Sequence, residues 1–288
     1  MRTLLNIATA CGLLAATSPT RAADTALFAR SNLVAWCIVP FDAKKRGPGE
    51  RAAMMEQLGI RHFAYDYRAE HIAQWDDELA ALKRHGISLD AWWFPATMND
   101  EARRAVELFK RHGVKPQFWV TGGGAFVKQP EEQLARVESE ARRIRPIAEA
   151  AASVGSQVAL YNHGGWFGEP ENQIAVIERL QRDGVMNVGI VYNLHHGHDH
   201  LDRFPALLAK MKPHLLALNL NGMTKDGDKA GKKIMVLGHG DLDLALLKAI
   251  RDSGWRGPVG ILNHTNLDAE QRLRENLDGL DHLVRQLR

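Results

Sequence analysis

The sequence predicts one α/β domain, a single (β/α)8 TIM barrel over residues 23–288. Three observations carry this expectation. Eight short apolar runs recur along the chain, eight helix patterns separate them, and glycine closes the helices at a regular interval. Leu58-Gly59-Ile60, His85-Gly86-Ile87 and His112-Gly113-Val114 each end a helical pattern and open an apolar run, and the glycines stand 27 residues apart, 59 to 86 and 86 to 113. Glycine just past a helix end takes positive φ without steric cost, which is why it marks such boundaries. Val154-Gly155 and Asp183-Gly184-Val185 repeat the event.

In chain order, strands are expected at 34–39, 61–67, 88–94, 116–121, 157–161, 188–192, 215–220 and 259–262. Helices begin at Pro48-Gly49-Glu50, Asp76-Asp77-Glu78, Asn99-Asp100-Glu101, Pro130-Glu131-Glu132 and Pro170-Glu171-Asn172. Proline or a short polar residue followed by acids suits the free N–H groups and positive dipole end of a helix start. Three more are expected at about 200–211, 241–253 and 268–286. Pro146 falls inside the fourth helix and is expected to kink or split it. An open doubly wound sheet is the alternative architecture, but no glycine-rich phosphate loop follows the first strand.

Residues 1–22 read as a secretory signal peptide: Arg2, an apolar run over 4–16, then Ser18-Pro19 and the small-residue exit Thr20-Arg21-Ala22-Ala23. A periplasmic or secreted protein is the expectation. The apolar run is too short to span a membrane, and no later stretch does better. Losing Arg2 and Arg21 takes the formal net charge from +3 to +1, so nothing suggests attraction to nucleic acid or an anionic membrane. Cleavage also removes Cys11 and leaves Cys37 alone in Ala35-Trp36-Cys37-Ile38-Val39, an apolar setting that suits a buried small hydrophobe. With 45% hydrophobic residues, the chain can fill one large core.

A barrel gathers the ends of all strands on one face. Those ends supply Asp42; Asp66, Tyr67 and Arg68; Trp92 and Trp93; Trp119 and Thr121; Tyr161, Asn162 and His163; Asn193 to His198; Asn219 and Asn221; and Asn263 and His264. Indoles beside neutral amides and imidazoles suit the apolar faces and hydroxyl edges of a sugar. A small carbohydrate is therefore the expected partner, bound by Asp66, Trp93, Trp119, Tyr161, Asn162, Trp166, Asn193, His198, Asn219, Asn221, Asn263 and His264.

The turn Asn162-His163-Gly164-Gly165 after strand five, the Asn193-x-x-His196 spacing after strand six and the segment Leu237-Gly238-His239-Gly240-Asp241-Leu242-Asp243 resemble, in that order, the xylose-isomerase-like TIM barrels of the sugar isomerase/epimerase superfamily. That resemblance implies a divalent metal held by Glu, Asp, His and Glu at the ends of strands five to eight, and ketose chemistry through an enediolate, or cleavage of 3-keto-glycosides. Here the positions carry Tyr161, Asn193, Asn219 with Asn221, and Asn263. Neutral amides offset the desolvation of a hard cation poorly, so the usual Mg²⁺ or Mn²⁺ centre is not expected.

The resemblance leaves His163 and His196 at positions that contact substrate in relatives. Imidazole exchanges protons near neutrality. The pair, with Glu169 as a further acid or base, is expected to carry proton abstraction next to a carbonyl in an isomerase, epimerase or lyase. A second reading places a transition metal among His163, His196, His198 and His264. A third keeps only carbohydrate binding. The loop 224–233, rich in lysine and aspartate, is expected to be solvated, at a position where a lid would also sit.

Overall fold

The computed structural model describes residues 25–287. The expected signal segment, with Cys11, lies outside the described residues. Eight parallel strands, β1 (Leu33–Trp36), β2 (His62–Tyr65), β3 (Ser88–Phe94), β4 (Gln117–Val120), β5 (Val158–Tyr161), β6 (Val188–Asn193), β7 (Leu215–Leu220) and β8 (Val259–Leu262), form a barrel in sequence order. It closes where β1 pairs with β8, from Leu33↔Val259 to Trp36↔Leu262. The helices on the outside are α1 (Pro48–Gln57), α2 (Trp75–Arg84), α3 (Asp100–His112), α4 (Pro130–Ser153), α5 (Pro170–Arg182), α6 (Phe204–Met211), α7 (Asp243–Asp252) and α8 (Ala269–Gln286). The short turn Gly165–Gly168 precedes α5.

The local signals do what the sequence led us to expect. Proline opens α1, α4 and α5, the Asn99 side chain accepts the Ala102 N–H at the start of α3, and Gly113 ends α3 at φ 66°. Several boundaries differ by a few residues, and two of them have a visible cause. β1 stops at Trp36 because Cys37 turns the chain into the left-handed region at φ 59°. β6 runs on through Asn193, which pairs with Asn219 of β7, and on its other side the Asn162 side chain accepts the Asn193 N–H at 2.7 Å and donates to its carbonyl at 3.1 Å. Pro146 does not split α4, which is helical from end to end. Both Pro146 and Arg142, whose carbonyl loses its partner, are exposed, so water can satisfy that oxygen.

Inside the barrel, a few large side chains are accommodated by small ones. Trp36, Trp119, Tyr161 and Leu262 pack with Ala64, Ala91, Ala159 and Ala217. Glycine makes further room: a Cβ on Gly260 would fall onto the Asn219 side chain, and one on Gly189 onto Leu216. The outer face of the strands meets the helices in a second core that includes Phe63, Trp92, Phe118, Leu160, Ile190, Leu218 and Ile261.

The connection from β7 to α7 is tied down at its base. The buried Asp243 carboxylate accepts N–H groups from Met223 at 2.6 Å, Gly238 at 2.7 Å and Gly240 at 3.0 Å. This accounts for the Gly-His-Gly-Asp-Leu-Asp pattern: glycines let the loop backbone crowd one carboxylate, since a Cβ on Gly240 would meet Met223 backbone. His239 is exposed and takes no part.

Outside the barrel, α1 and α2 share a buried ion pair. Arg51 Nε and Nη2 donate to the two Glu78 oxygens at 3.1 and 3.0 Å, with side-chain exposures of 2% and 0%. Glu78→Gln leaves the guanidinium buried without its countercharge and should cost about 3–5 kcal/mol in urea unfolding, whereas an exposed pair would cost under about 1 kcal/mol.

Candidate functional site

The strand ends carry a cavity of about 60 Å³ lined by Trp36, Cys37, Phe41, Asp66, Arg68, Trp93, Tyr161, His163, His195, His196 and His264. A larger hollow of about 440 Å³ lies between α2, α3 and the start of β3. It sits at the opposite end of the barrel from the face where such folds place their chemistry.

Four imidazoles form the β5, β6 and β8 side of the cavity. The ring centres of His163 and His196 are 4.4 Å apart, those of His195 and His196 3.6 Å, and those of His195 and His264 6.0 Å. Asn193 sets this arrangement. Its Oδ1 accepts the His195 N–H at 3.3 Å and His195 Nδ1–H at 2.8 Å, and its Nδ2 donates to the Tyr161 hydroxyl. Trp36 Nε1 donates to the same hydroxyl at 3.4 Å. Two N–H groups therefore occupy the Tyr161 oxygen as acceptor, and no protein acceptor takes its own proton among the described residues.

The electrostatics favour neutral bases. Burial first, then the neighbouring His163 and Lys233, pull His196 down to about 3. Burial and the other histidines hold His195 well below the usual imidazole range, and burial followed by Lys233 lowers His163, which stands at the rim. His264 is lowered by burial and Arg68 and lies against Phe41, ring centres 3.7 Å apart. Burial keeps the Tyr161 phenol protonated. Across the cavity, burial raises Asp66 to about 7. Arg68 Nη1 is fixed at the rim by the Asp66 and Tyr67 carbonyls, 2.8 Å each, with its guanidinium over Phe41.

The β7–α7 loop covers this group. Ile234 packs against the inner aromatic cluster, and the Lys233 carbonyl accepts His198 Nε2–H at 3.0 Å and Asn221 Nδ2 at 3.3 Å. The stretch expected to be solvated is thus docked at its end, while Lys225, Asp226 and Lys229 remain outside.

Of the residues expected at the site, Asp66, Trp93, Tyr161, His163, His196 and His264 line the cavity together. Others stand behind it. Glu169 faces His200 at 3.2 Å and Arg203 at 2.9 Å, away from the imidazole pair. Trp119 lies in the layer below, its Nε1 on Gln117 and its ring against Trp36. Trp166 is buried with Nε1 on Gln133. Asn162 and Asn193 are scaffold, and His198 and Asn221 hold the loop. Asn219 and Asn263 are fully buried outside the cavity wall. Sequence reasoning passed over Trp36, Cys37 and Phe41, taking Asp42 as the end of β1. Asp42 instead accepts from Arg46 and the Ala269 N–H. A bulky apolar residue on each side of a lone cysteine at a strand end was the available signal.

The donors do not fit the metal centre of the family. Asn193 and the Tyr161 oxygen are already engaged, Asn219 lies against Gly260, and all four replacements are uncharged. Among the described residues, no group of three or more His, Cys, Asp or Glu side chains is arranged to hold a metal ion, and His198 is committed to the loop carbonyl.

Because His196 is depressed from 6.5 to about 3, the native chain binds fewer protons than the unfolded chain between these values. Its contribution to stability is present above pH 6.5 and lost as pH falls toward 3. Asp66, raised from 3.8 to about 7, acts with the opposite sign, its contribution being lost as pH rises through about 7. Comparing wild type with His196→Gln isolates the first effect: calorimetry should show a melting temperature that falls less steeply on acidification in the variant. Parallel curves would contradict a buried neutral His196.

Residues 52–283 match the family profile described as Xylose isomerase-like TIM barrel. No curated protein matches by sequence. Among solved structures, the chain is similar to 3-keto-D-glucoside 4-epimerase from E. coli, with 16% identity over 88% of this chain and 98% of that chain and a TM-score of 0.64. It is also similar to the IOLI protein with a bound zinc atom, with 17% identity over 88% and 99% and a TM-score of 0.67. A D-tagatose 3-epimerase-like protein shows 13% identity over 88% and 98% and a TM-score of 0.62. At such identities the structures share the fold. With the profile spanning most of the chain and the barrel closed in the expected order, the protein belongs to the xylose isomerase-like TIM barrel family.

Proposed function

We propose that this barrel is an exported, sugar-active enzyme of the isomerase, epimerase or 3-keto-glycoside lyase kind, working by proton abstraction next to a carbonyl. The observation that carries the reading is the pair of neutral imidazoles, His163 and His196, 4.4 Å apart in the cavity at the strand ends. His163, at the rim and less depressed, is the base; His196 beside it stays neutral until charge develops. The negative charge of an enediolate offsets the repulsion among these rings and raises their proton affinity as the proton arrives. Tyr161 donates its remaining hydrogen to the substrate carbonyl oxygen, the part a metal ion plays elsewhere. Trp36, Trp93 and Phe41 offer flat apolar surface to the C–H faces of a sugar. The 3-keto-D-glucoside 4-epimerase and the D-tagatose 3-epimerase-like protein among the structural neighbours support this substrate class.

A cavity of about 60 Å³ is well below the roughly 300–1,000 Å³ of small-molecule sites. Substrate entry therefore requires the β7–α7 loop to lift from His198 and Asn221, making it a lid. A second reading, a carbohydrate-binding barrel without catalysis, draws on the uncharged amides where relatives hold a metal.

Incubation of the mature protein with 3-keto-glucosides and free ketoses, followed by NMR, tests the choice. Product should form, and His163→Ala and His196→Ala should each lower kcat by about 10²-fold. Sugar binding in calorimetry with no product from any of these compounds would select the binding protein.

A further inference from the structure

Asp66 has no role in the chemistry above, and its surroundings are those of a reacting group. Among the described residues it is the only carboxylate lining the cavity, and it is 2% exposed. Its Oδ1 accepts the Val39 N–H at 3.3 Å, while Oδ2 is buried with no partner among the described residues. The Cys37 thiol lies against the carboxyl, carried by a backbone in the left-handed region at φ 59°. Burying a carboxyl with a free oxygen is costly, and strain of this kind collects at functional sites. Its place in the barrel supplies the geometry. β2 and β6 are four places apart in a closed ring of eight, so Asp66 just past β2 and His196 just past β6 stand on opposite walls of one cavity.

Resting on the proposed function, we infer that Asp66 is a second catalytic proton carrier, which returns a proton to the face of the substrate carbon opposite the one deprotonated by the histidine wall. The reaction is then inversion at the carbon next to the carbonyl. The C–H bond breaks toward imidazole, its electron pair becomes the C=C bond of an enediolate, and the carbonyl oxygen takes the charge under the Tyr161 O–H. The new C–H bond forms with the Asp66 proton as the enediolate collapses to the ketone. Imidazolium and carboxylate remain, and proton exchange with water restores both. No electrons leave the substrate, so no further reactant is needed.

The carboxyl is poised for this. Burial raises it to about 7, against the lowering effect of Arg68, Arg51 and the Val39 N–H, so it holds a proton in part of the population near neutrality. The other titratable groups facing it are Cys37 from the end of β1, Tyr65 of β2 and Tyr161 of β5, all raised and hence protonated there.

The test is reaction of a 3-keto-glucoside in ²H₂O with wild type, His163→Ala and the isosteric Asp66→Asn. Wild type should yield epimer deuterated at the inverted carbon. Asp66→Asn should lose epimer formation by about 10²-fold or more while still washing deuterium into recovered substrate, because the histidine wall removes and returns the hydrogen on one face. His163→Ala should lose both. In wild type, epimer formation should fall as pH rises through about 7 while wash-in persists, a readout that does not depend on the variant folding. Wild-type epimer formation by Asp66→Asn, or wash-in and epimer formation that change together with pH, would remove Asp66 and leave the histidine reading standing. Absence of both wash-in and epimer in wild type would remove that reading and Asp66 with it.

Discussion

The structure depends first on how little room an eight-stranded barrel encloses. Trp36, Trp119 and Tyr161 point into it, and they fit because Ala64, Ala91, Ala159 and Ala217 share the barrel interior with them and glycines stand at 189 and 260. Trp36 and Tyr161 form the floor of the cavity, with Trp119 beneath them. Trp36 and Tyr161 face the imidazoles from below, so the packing that fills the barrel also sets the depth and polarity of the site.

Hydrogen bonding to Asn193 then orients the chemistry. Where the sequence resemblance implies a metal-binding carboxylate, this chain has an amide that donates to a phenol and accepts from an imidazole. The tautomer follows: with Nδ1–H on Asn193, a neutral His195 carries its lone pair on Nε2. The surrounding charges agree with this arrangement. Lys233 and the other histidines disfavour protonation, burial does the same, and Asp66, the carboxyl in the wall, is raised to about 7 and so is partly protonated near neutrality. The site therefore combines neutral imidazoles with a partly protonated carboxyl, a set suited to moving protons on a substrate.

Much of the fold was legible because it is written in local signals. Gly59, Gly86 and Gly113 mark helix ends through backbone freedom, and Pro48, Pro130 and Pro170 mark helix starts through their fixed φ. The site was legible only to the extent that strand ends can be counted. Trp93 and Tyr161 follow from the inward alternation of β3 and β5, and Asp66, His163, His196 and His264 from lying within three residues of a strand end. Glu169 and Asn162 illustrate the limit: each lies close in sequence to the site, yet one is drawn to His200 and Arg203 and the other to the Asn193 backbone.

By itself the sequence determined the barrel, the order of its elements and the kinds of group at its mouth, because periodicity, caps and turn glycines act within a few residues of chain. Tertiary structure alone decided which of those groups share a cavity, that Cys37 and Phe41 complete its wall, and that the β7–α7 loop docks over it through Lys233 and Ile234. It also decided protonation: His196 and Asp66 depart in opposite directions from their ordinary values because both lose water, and loss of water depends on everything packed around a side chain.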